Sequence, residues 1–362
     1  MFVRNIEITS FRNLDSCRIE FDPGVNVFYG LNGVGKTNLL EAVFVLMLAR
    51  SPRGANDAVL LKSGAEYYRI EGEIDFSGRS HELAVAYQGG GRKRITVDRV
   101  GVRAAELYDK CTAVAAAPED ITLLSGPPSN RRDFINTYLS QSSPTYIADL
   151  SDYQKALAQK NAFLKQDDNA GETPFDDLLV QYGSAIMQAR AGFLLAVSER
   201  AAKYYEKISG GQKLAIAYRP SVETRDLYDR DAVERAFYEK LKKYFQRERI
   251  IQSALVGPHR DDVDMTIQDY PARTHGSQGE IRTAAVSLKL GVYDYLHQVR
   301  RVKPVLLLDE IFAELDDGRK SMLADIFGQF GQVFITAATR VPGKLLERAR
   351  IFHIENGVVQ TG

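Results

Sequence analysis

A glycine-rich segment near the start of the chain places a lysine and a threonine at the spacing that phosphate binding requires. It follows a short apolar run, Val25–Tyr29, and precedes a helical pattern, which is the strand–loop–helix context of the motif G-x-x-x-x-G-K-[S/T]. The backbone N–H groups of such a loop and the N-terminus of the next helix surround an anion. We expect Lys36 to reach the β- and γ-phosphates of a nucleoside triphosphate, and the Thr37 hydroxyl to bind Mg²⁺. The candidate nucleotide-binding residues of this loop are Gly30, Leu31, Asn32, Gly33, Val34, Gly35, Lys36 and Thr37.

A second segment supplies two carboxylates. Residues 305–308 form a continuous apolar run, which is typical of a strand buried on both faces, and Asp309 and Glu310 follow it directly. We expect Asp309 to hold Mg²⁺ through water, and Glu310 to orient or deprotonate the attacking water. A strand that ends in an acidic turn is common, but the phosphate-binding loop favours the functional interpretation. Glu310 and Lys36 are therefore the candidate catalytic residues, and Thr37 and Asp309 are the candidate metal ligands.

Two segments compete for the role of the serine-containing signature of ABC-type ATPases. Residues 209–212 read Ser-Gly-Gly-Gln and match it literally, whereas residues 277–283, called the signature segment below, match it less closely. The signature must open a helix that leads into the strand before Asp309, and only Ser277 does so. Ser277 and Glu280 also form a predicted capping box. We interpret residues 209–212 as a turn that leads into a strand.

The predicted helix at the signature segment has a function if its start meets a phosphate. A serine hydroxyl and the free N–H groups of a helix N-terminus bind a γ-phosphate well. We expect Ser277 to lie too far from the phosphate-binding loop of its own chain. A two-fold homodimer, in which Ser277 and Gly279 of one chain cover the nucleotide of the other, solves this problem. Asp316, in a segment that matches a D-loop (residues 313–316), is expected at the same interface.

The surrounding patterns predict an α/β protein with two domains. Alternating residues with short turns between about 67 and 102 predict an antiparallel sheet. From about 130 to 206 the apolar spacing is helical, and a third helix is predicted over about 232–251. The phosphate-binding loop, the signature segment and the two carboxylates together resemble those of ABC-type ATPases. This resemblance implies an ABC-type ATPase head, with a P-loop sheet and an antiparallel β subdomain, over residues 1–125 and 252–362. It also implies that residues 126–251 are a helical arm inserted in the head.

Composition limits the remaining possibilities. Lys and Arg total 47, as do Asp and Glu, so any nucleic-acid contact must use a local basic patch rather than bulk charge. Basic residues outnumber acidic ones in the predicted helix 232–251, which leaves both a solvated face and a nucleic-acid surface open. The chain enters a strand directly, has no apolar run of about 18 residues and has only two, widely spaced cysteines, so we expect a cytoplasmic protein without a membrane partner.

The order of these motifs resembles the ABC ATPase class, and several segments resemble more specifically the RecF family of bacterial recombination-repair ATPases. Those segments are residues 8–14, 30–41, 118–121, 126–132, 159–165, 257–262, 277–283 and 308–316. The resemblance implies ATP and Mg²⁺ as cofactors, and ATP-dependent dimerisation on DNA at junctions of single-stranded and double-stranded DNA. It also implies cooperation with RecR and RecO in loading RecA on gapped DNA. Arg12, in the N-terminal turn, is either a further nucleotide contact or a plain surface arginine.

The sequence departs from the ABC pattern in two places. No histidine follows the strand after Glu310, so a threonine or arginine within residues 335–340 is expected to contact the γ-phosphate. No Q-loop glutamine is evident, because the strand after Thr112 ends in Pro-Glu-Asp at 118–120. Both departures suggest slow hydrolysis that acts as a release switch. The alternatives are a transporter nucleotide-binding subunit, which needs a membrane partner, and an SMC-like structural ATPase, which needs a far longer coiled-coil insertion.

Overall fold

The computed structural model describes residues 1–166, 173–313, 315–338, 341–355 and 358–361. The chain divides into two compact units. The first unit contains Met1–Ile121, Lys203–Gln212 and Ser277–Gly362, and the second contains Thr122–Ala202 and Lys213–Gly276. The predicted insert 126–251 overlaps the second unit, and its bounds as a domain stay a prediction.

Strands dominate residues 1–101, and helices dominate residues 122–251. The strands are β1 (Phe2–Val3), β2 (Asn5–Phe11), β3 (Leu14–Glu20), β4 (Val25–Tyr29), β5 (Tyr67–Phe76), β6 (Arg79–Gln88), β7 (Arg94–Val97), β8 (Val100–Gly101), β9 (Ala113–Ala116), β10 (Leu214–Arg219), β11 (Asp262–Ile267), β12 (Tyr270–Pro271), β13 (Val305–Leu308), β14 (Val333–Ala337), β15 (Ala349–Glu355) and β16 (Val358–Thr361). The helices are α1 (Lys36–Leu48), α2 (Asp57–Leu60), α3 (Ala104–Leu107), α4 (Thr122–Ser125), α5 (Pro128–Ser142), α6 (Pro144–Phe163), α7 (Asp176–Ser209), α8 (Arg230–Ile251), α9 (Ala272–His275), α10 (Gln278–Arg300), α11 (Asp317–Phe327) and α12 (Gly343–Leu346).

A mostly parallel sheet in the first unit brings the two predicted motifs together. Its strand order is β16-β15-β4-β14-β13-β9, and only the β15–β16 pair is antiparallel. Since β14 lies between β4 and β13, the carboxyl ends of all three strands lie at one edge of the sheet. The phosphate-binding loop follows β4, and Asp309 follows β13. The predicted strand 305–308 is confirmed, and all four of its residues are buried.

The second sheet of this unit is antiparallel, with the order β3-β2-β5-β6-β7-β8 and with β1 paired to β5. The predicted antiparallel sheet between 67 and 102 is therefore confirmed. Helix α1 contacts strands of both sheets, among them β5, β6 and β14. Its residues are buried nearly all round, because both faces of the helix pack against apolar side chains. This packing fixes the start of α1, and with it the position of Lys36.

The second unit combines helices with a three-stranded sheet of order β10-β11-β12. Helices α7 and α8 share an apolar core that includes Val180, Met187, Phe237 and Leu241. The predicted helical region and the predicted third helix are confirmed by α5, α6, α7 and α8. The predicted turn at 209–212 is confirmed as well, since Gly210 and Gly211 have φ angles of 76° and 105° and β10 follows. No helix in the described part of the chain has the length and apolar character that crossing a membrane requires.

Candidate nucleotide-binding site

The phosphate-binding loop needs its glycines for two different reasons. Gly33 and Gly35 have φ angles of 84° and 110°, in the left-handed region that side chains with a Cβ avoid. At Gly30 a Cβ would lie 2.5 Å from the carbonyl oxygen of Ile354 on the neighbouring strand β15. The loop therefore turns tightly between β4 and α1, and its close approach to β15 leaves no room for a side chain at position 30.

Lys36 is the first residue of α1, and its side chain curls back over the loop. The Nζ atom donates to the carbonyl oxygens of Gly30 and Leu31 at 2.8 and 3.0 Å. It also forms an ion pair with Oε1 of Glu310 at 3.0 Å. Lys36 is 3% exposed, so its ammonium group is held in one position and water screens its charge only weakly. The two candidate catalytic residues are in direct contact.

Thr37 and Asp309 are also in contact, across the sheet. The Thr37 hydroxyl lies 2.9 and 2.8 Å from the two carboxylate oxygens of Asp309. Thr336 on β14 donates its hydroxyl to the same carboxylate at 2.6 Å. Burial raises the pKa of Asp309, whereas the two hydroxyl groups and nearby Arg53 act in the opposite direction. A carboxylate that lacks a closely paired cation in a buried position favours an added positive charge.

These donors fit a magnesium ion. A hydroxyl and a carboxylate are the hard oxygen ligands that Mg²⁺ prefers, and Mg²⁺ usually binds through one or two protein ligands, phosphate oxygens and water. Within the described ranges, no group of three or more His, Cys, Asp or Glu side chains could hold a metal without such help. Thr37 and Asp309 therefore suit a metal that arrives with a nucleotide, rather than a preformed metal cage.

Glu310 adopts a backbone conformation that is rare for a residue other than glycine, with a φ angle of 46°. Three contacts hold it there. Its backbone N–H donates to the Thr336 hydroxyl at 2.9 Å, and its Oε2 accepts from the N–H of Ala338 at 2.9 Å. Its Oε1 pairs with Lys36. Strain that is stabilised by surrounding contacts is typical of functional positions, and here it directs the carboxylate towards the phosphate-binding loop.

An open cleft of about 420 Å³ joins these groups. Residues of the loop, of α1 and of the Asp309–Glu310 turn line it, together with Arg53 and Glu119. The Arg53 guanidinium lies 3.0 Å from the Glu119 carboxylate and 4.0 Å from that of Asp309. Glu119 follows β9, so it stands at the chain position where the ABC pattern has a Q-loop glutamine.

The N-terminal turn contacts the site through Asn13. Its amide donates to the carbonyl oxygen of Gly33 at 3.3 Å, and its Oδ1 accepts from Asn38 at 2.8 Å. The neighbouring Arg12 forms a bidentate ion pair with the buried Glu41, at 2.8 and 3.1 Å. The nucleotide contact of Arg12 thus stays a prediction, while the structure gives its guanidinium a partner in the protein.

Ser277 does not line this cleft, although Arg282 of the signature segment lines a small pocket with Asp309 and Glu310. Ser277 is exposed at the start of α10, and the predicted capping box with Glu280 is confirmed. Arg319 joins the segment to the D-loop, because its guanidinium lies 3.3 Å from both the Thr283 hydroxyl and the Asp316 carboxylate. A Cβ on Gly279 would lie 3.2 Å from the same guanidinium. The structure thus brings Gly279 and Asp316 to one arginine, while Glu314 of the D-loop lies outside the described residues.

Comparisons with known proteins give the family. A family model described as "RecF/RecN/SMC N terminal domain" matches residues 2–360. The DNA replication and repair protein RecF of Bacillus cytotoxicus is 34% identical over 367 residues, which cover 99% of this chain and 98% of that protein. The chain belongs to the RecF family. RecF of Bacillus thuringiensis strain Al Hakam is likewise 34% identical, with the same coverage of both chains.

Solved structures of RecF share the fold along the whole chain. Two structures of the recombination mediator protein RecF in the RecFOR pathway, one with ATP and one with ATPrS, are each 32% identical to this chain. Their TM-scores are 0.91 and 0.90, and they cover 100% and 99% of this chain and 97% and 98% of their own. The Smc head domain of Pyrococcus furiosus has a TM-score of 0.57 at 15% identity, which shows a common fold alone. The predicted ABC/SMC-like ATPase head is confirmed.

The sequence analysis did not predict Asn13, Arg53 or Glu119 as residues of this RecF-family site. Thr336 lies within the predicted segment 335–340, but its hydroxyl binds Asp309 and the Glu310 backbone. Residues 339 and 340, the other candidates for a γ-phosphate contact, lie outside the described residues. The strand order carried the missing signal, because β14 lies between the two motif strands and its end must touch both.

We expect Thr336→Val to destabilise the protein by about 2 kcal/mol, because valine fills the same space but removes one hydrogen bond to the buried Asp309 carboxylate and leaves the Glu310 N–H without its acceptor. Urea unfolding of the purified protein measures this loss. Thr336→Ser is the matched control, since it keeps the hydroxyl. Equal stability of the valine variant and the wild type would contradict the bridging role.

Proposed function

We propose that this chain is an ATP-dependent DNA-binding repair protein of the RecF type. It dimerises when ATP binds, helps to load a recombinase at gapped or junction DNA, and uses slow ATP hydrolysis to release. The main support is one observation, namely that Lys36, Thr37, Asp309 and Glu310 converge on one cleft in a chain related to RecF over its full length. The related RecF structure with ATP, which has the same fold, is consistent with this proposal.

The cleft has a role for each of its groups. The loop N–H groups and Lys36 bind the β- and γ-phosphates, for which Lys36 exchanges part of its contact with the loop carbonyls. Thr37 and Asp309 would hold Mg²⁺, which would supply positive charge to the bound phosphates. Glu310 moves from Lys36 to the attacking water, which it orients or deprotonates. Since the Glu310 carboxylate starts in an ion pair, this change of partner slows hydrolysis and suits a switch.

Dimerisation follows from the exposed start of α10. Ser277 presents a hydroxyl and helix N–H groups to solvent, outside the cleft of its own chain. A second copy related by two-fold symmetry brings this start to the γ-phosphate, and Gly279 and Asp316 to the same interface. The nucleotide then links two heads, so ATP binding and dimer formation are coupled equilibria.

The best-supported DNA surface is the solvent-facing side of α8. Exposed Arg235, Lys242, Lys243 and Arg247 lie along this helix, and none of them pairs with an acidic residue in the described part of the chain. The carboxylate of Glu248 does not reduce this positive charge at the surface, because it is buried beside Lys160. In a chain with no net charge, such a local excess suits a phosphate backbone. If this side of α8 is only a solvated face, replacing its basic residues should leave DNA binding unchanged.

Binding to duplex, single-stranded and gapped DNA, with and without ATP, tests the proposed function. Fluorescence anisotropy across a salt series gives both affinity and the number of phosphate contacts. We expect ATP to strengthen binding and gapped DNA to bind best. Absent or salt-insensitive binding would contradict the DNA role. Cooperation with RecR and RecO, and loading of RecA, are tested by adding those proteins to gapped DNA.

We expect Lys242→Gln with Arg247→Gln to lower the slope of log affinity against log salt by about two for duplex DNA, because two phosphate contacts are lost. The same anisotropy titrations measure it. The control replaces two exposed cations of the second unit that already have acidic partners, Lys155→Gln and Arg219→Gln, with the same change in charge. An unchanged slope in the α8 variant, or an equal change in both, would assign α8 to the solvated face.

A further inference from the structure

The turn at 209–212 matches the ABC signature in sequence, and it contacts α10, the helix that begins in the signature segment. The Gln212 side chain donates from Nε2 to Oε1 of Glu280 at 3.1 Å. Its Oε1 accepts from the hydroxyl of Tyr205 at 3.1 Å. Both polar atoms of the glutamine amide are therefore hydrogen-bonded, and Nε2 binds Glu280, the acidic residue of the α10 capping box.

Glu280 divides its two carboxylate oxygens between two tasks. Oε2 accepts from the Ser277 backbone N–H at 2.9 Å and lies 2.7 Å from the Ser277 hydroxyl. Oε1 accepts from Gln212. These contacts, the Ser277 ones above all, keep the pKa of Glu280 below its usual range, so the group is a carboxylate near neutral pH. The orientation of this carboxylate sets the orientation of the Ser277 hydroxyl.

The turn itself is anchored, so it can hold Glu280 in place. Tyr205 is fully buried, and the Gln212 backbone N–H donates to the Ser209 hydroxyl at 3.1 Å. One residue before Tyr205, the Tyr204 hydroxyl donates to Asp294 on α10 at 2.8 Å. The segment from 203 to 212 is therefore attached to α10 at two points, near its first turn and in its second half.

We propose that Gln212 is a positioning residue for Ser277, acting through Glu280. This inference rests on the proposed function, in which Ser277 meets the γ-phosphate bound to a second chain. To donate to a phosphate, the Ser277 hydroxyl must turn its proton away from Glu280. Gln212 holds the carboxylate in its capping position and, with Arg319 nearby, offsets a negative charge that would otherwise repel the phosphate.

Gln212→Leu tests the proposal, because leucine is similar in size but has no amide. We expect ATP-driven dimerisation, measured by sedimentation, to weaken roughly tenfold, as for the loss of one hydrogen bond to a charged group. In a Ser277→Ala background the same change should have no further effect, since its action passes through the serine. Nucleotide binding to the monomer should stay unchanged. The control is Gln188→Leu, which removes a glutamine of α7 that donates to the carbonyl oxygen of Tyr228.

A second readout separates this inference from the proposed function. In the nucleotide-free protein, Gln212→Leu should speed amide hydrogen exchange in the first turn of α10, and Gln188→Leu should not. If the wild type does not dimerise with ATP, the proposed function fails, while the exchange result still decides whether Gln212 positions Glu280. Unchanged exchange would overturn the inference. So would a loss of dimerisation that is equally large in the Ser277→Ala background, because it would indicate a general structural effect.

Discussion

Glu310→Gln should slow ATP hydrolysis by a factor of about 100 or more and leave the protein as a stable dimer in ATP. The amide keeps the size of the side chain but cannot accept a proton from water, and general-base catalysis is worth about 10²–10⁴ in rate. It also cannot form the ion pair with Lys36, so Lys36 becomes free for phosphate. Steady-state ATPase assays give the first effect, and sedimentation with ATP gives the second.

The matched control for this prediction is Glu347→Gln, an exposed glutamate of the same unit that lies outside the cleft lining. It should keep wild-type turnover and release its dimer as ATP is consumed. If Glu310→Gln hydrolyses ATP at the wild-type rate, Glu310 is a structural partner of Lys36 and another group activates water.

Lys36→Arg should abolish ATP-driven dimerisation, with a loss of at least about 100-fold in nucleotide affinity, because a planar guanidinium cannot replace a compact ammonium in a tight site. The Lys36 amine has partners at 2.8, 3.0 and 3.0 Å and almost no exposed surface, so the larger group has no room. The charge is kept, which separates geometry from electrostatics. Calorimetric titration with ATP and sedimentation measure the two effects.

Lys344→Arg is the control for this substitution, since Lys344 is exposed and pairs with Asp325 at the surface of the same unit. It should bind ATP and dimerise as the wild type does. Retained dimerisation of Lys36→Arg would remove this lysine from the phosphate site and weaken the whole assignment of the cleft.

How much of this site the sequence predicts depends on how far apart its residues lie along the chain. The loop at 30–37 is contiguous, so its letters alone indicate phosphate binding. The contact of Thr37 with Asp309 joins residues 272 positions apart. It can be predicted only because the two motifs that contain these residues are known to act together. The contacts of Thr336 and Gln212 are predicted by no contiguous motif. Their roles arise from strand order and from a turn folded back onto α10, which no local pattern records.

The local similarity at 209–212 is the clearest case in which sequence reasoning was both right and incomplete. The segment is a turn, as predicted from its position, and it does not open the helix that precedes Asp309. Yet its glutamine holds the signature helix through Glu280. For Arg12 the sequence left a nucleotide contact and a plain surface position open, and the structure pairs its guanidinium with Glu41. In both cases the competing partner lay far away in sequence.

In the proposed dimer, Ser277 of one chain completes the nucleotide site of the other. Mixing two inactive variants tests this arrangement most directly. Lys36→Arg and Ser277→Arg should each fail to dimerise with ATP. In a mixed dimer both defects fall in one composite site, and the other site combines an intact loop with an intact serine. An equal mixture should therefore regain ATPase activity. With random pairing about half of the dimers are mixed and each has one intact site of two, so activity should reach about a quarter of the wild-type value. If the mixture stays as inactive as the separate variants, Ser277 does not act across the dimer and the account is wrong.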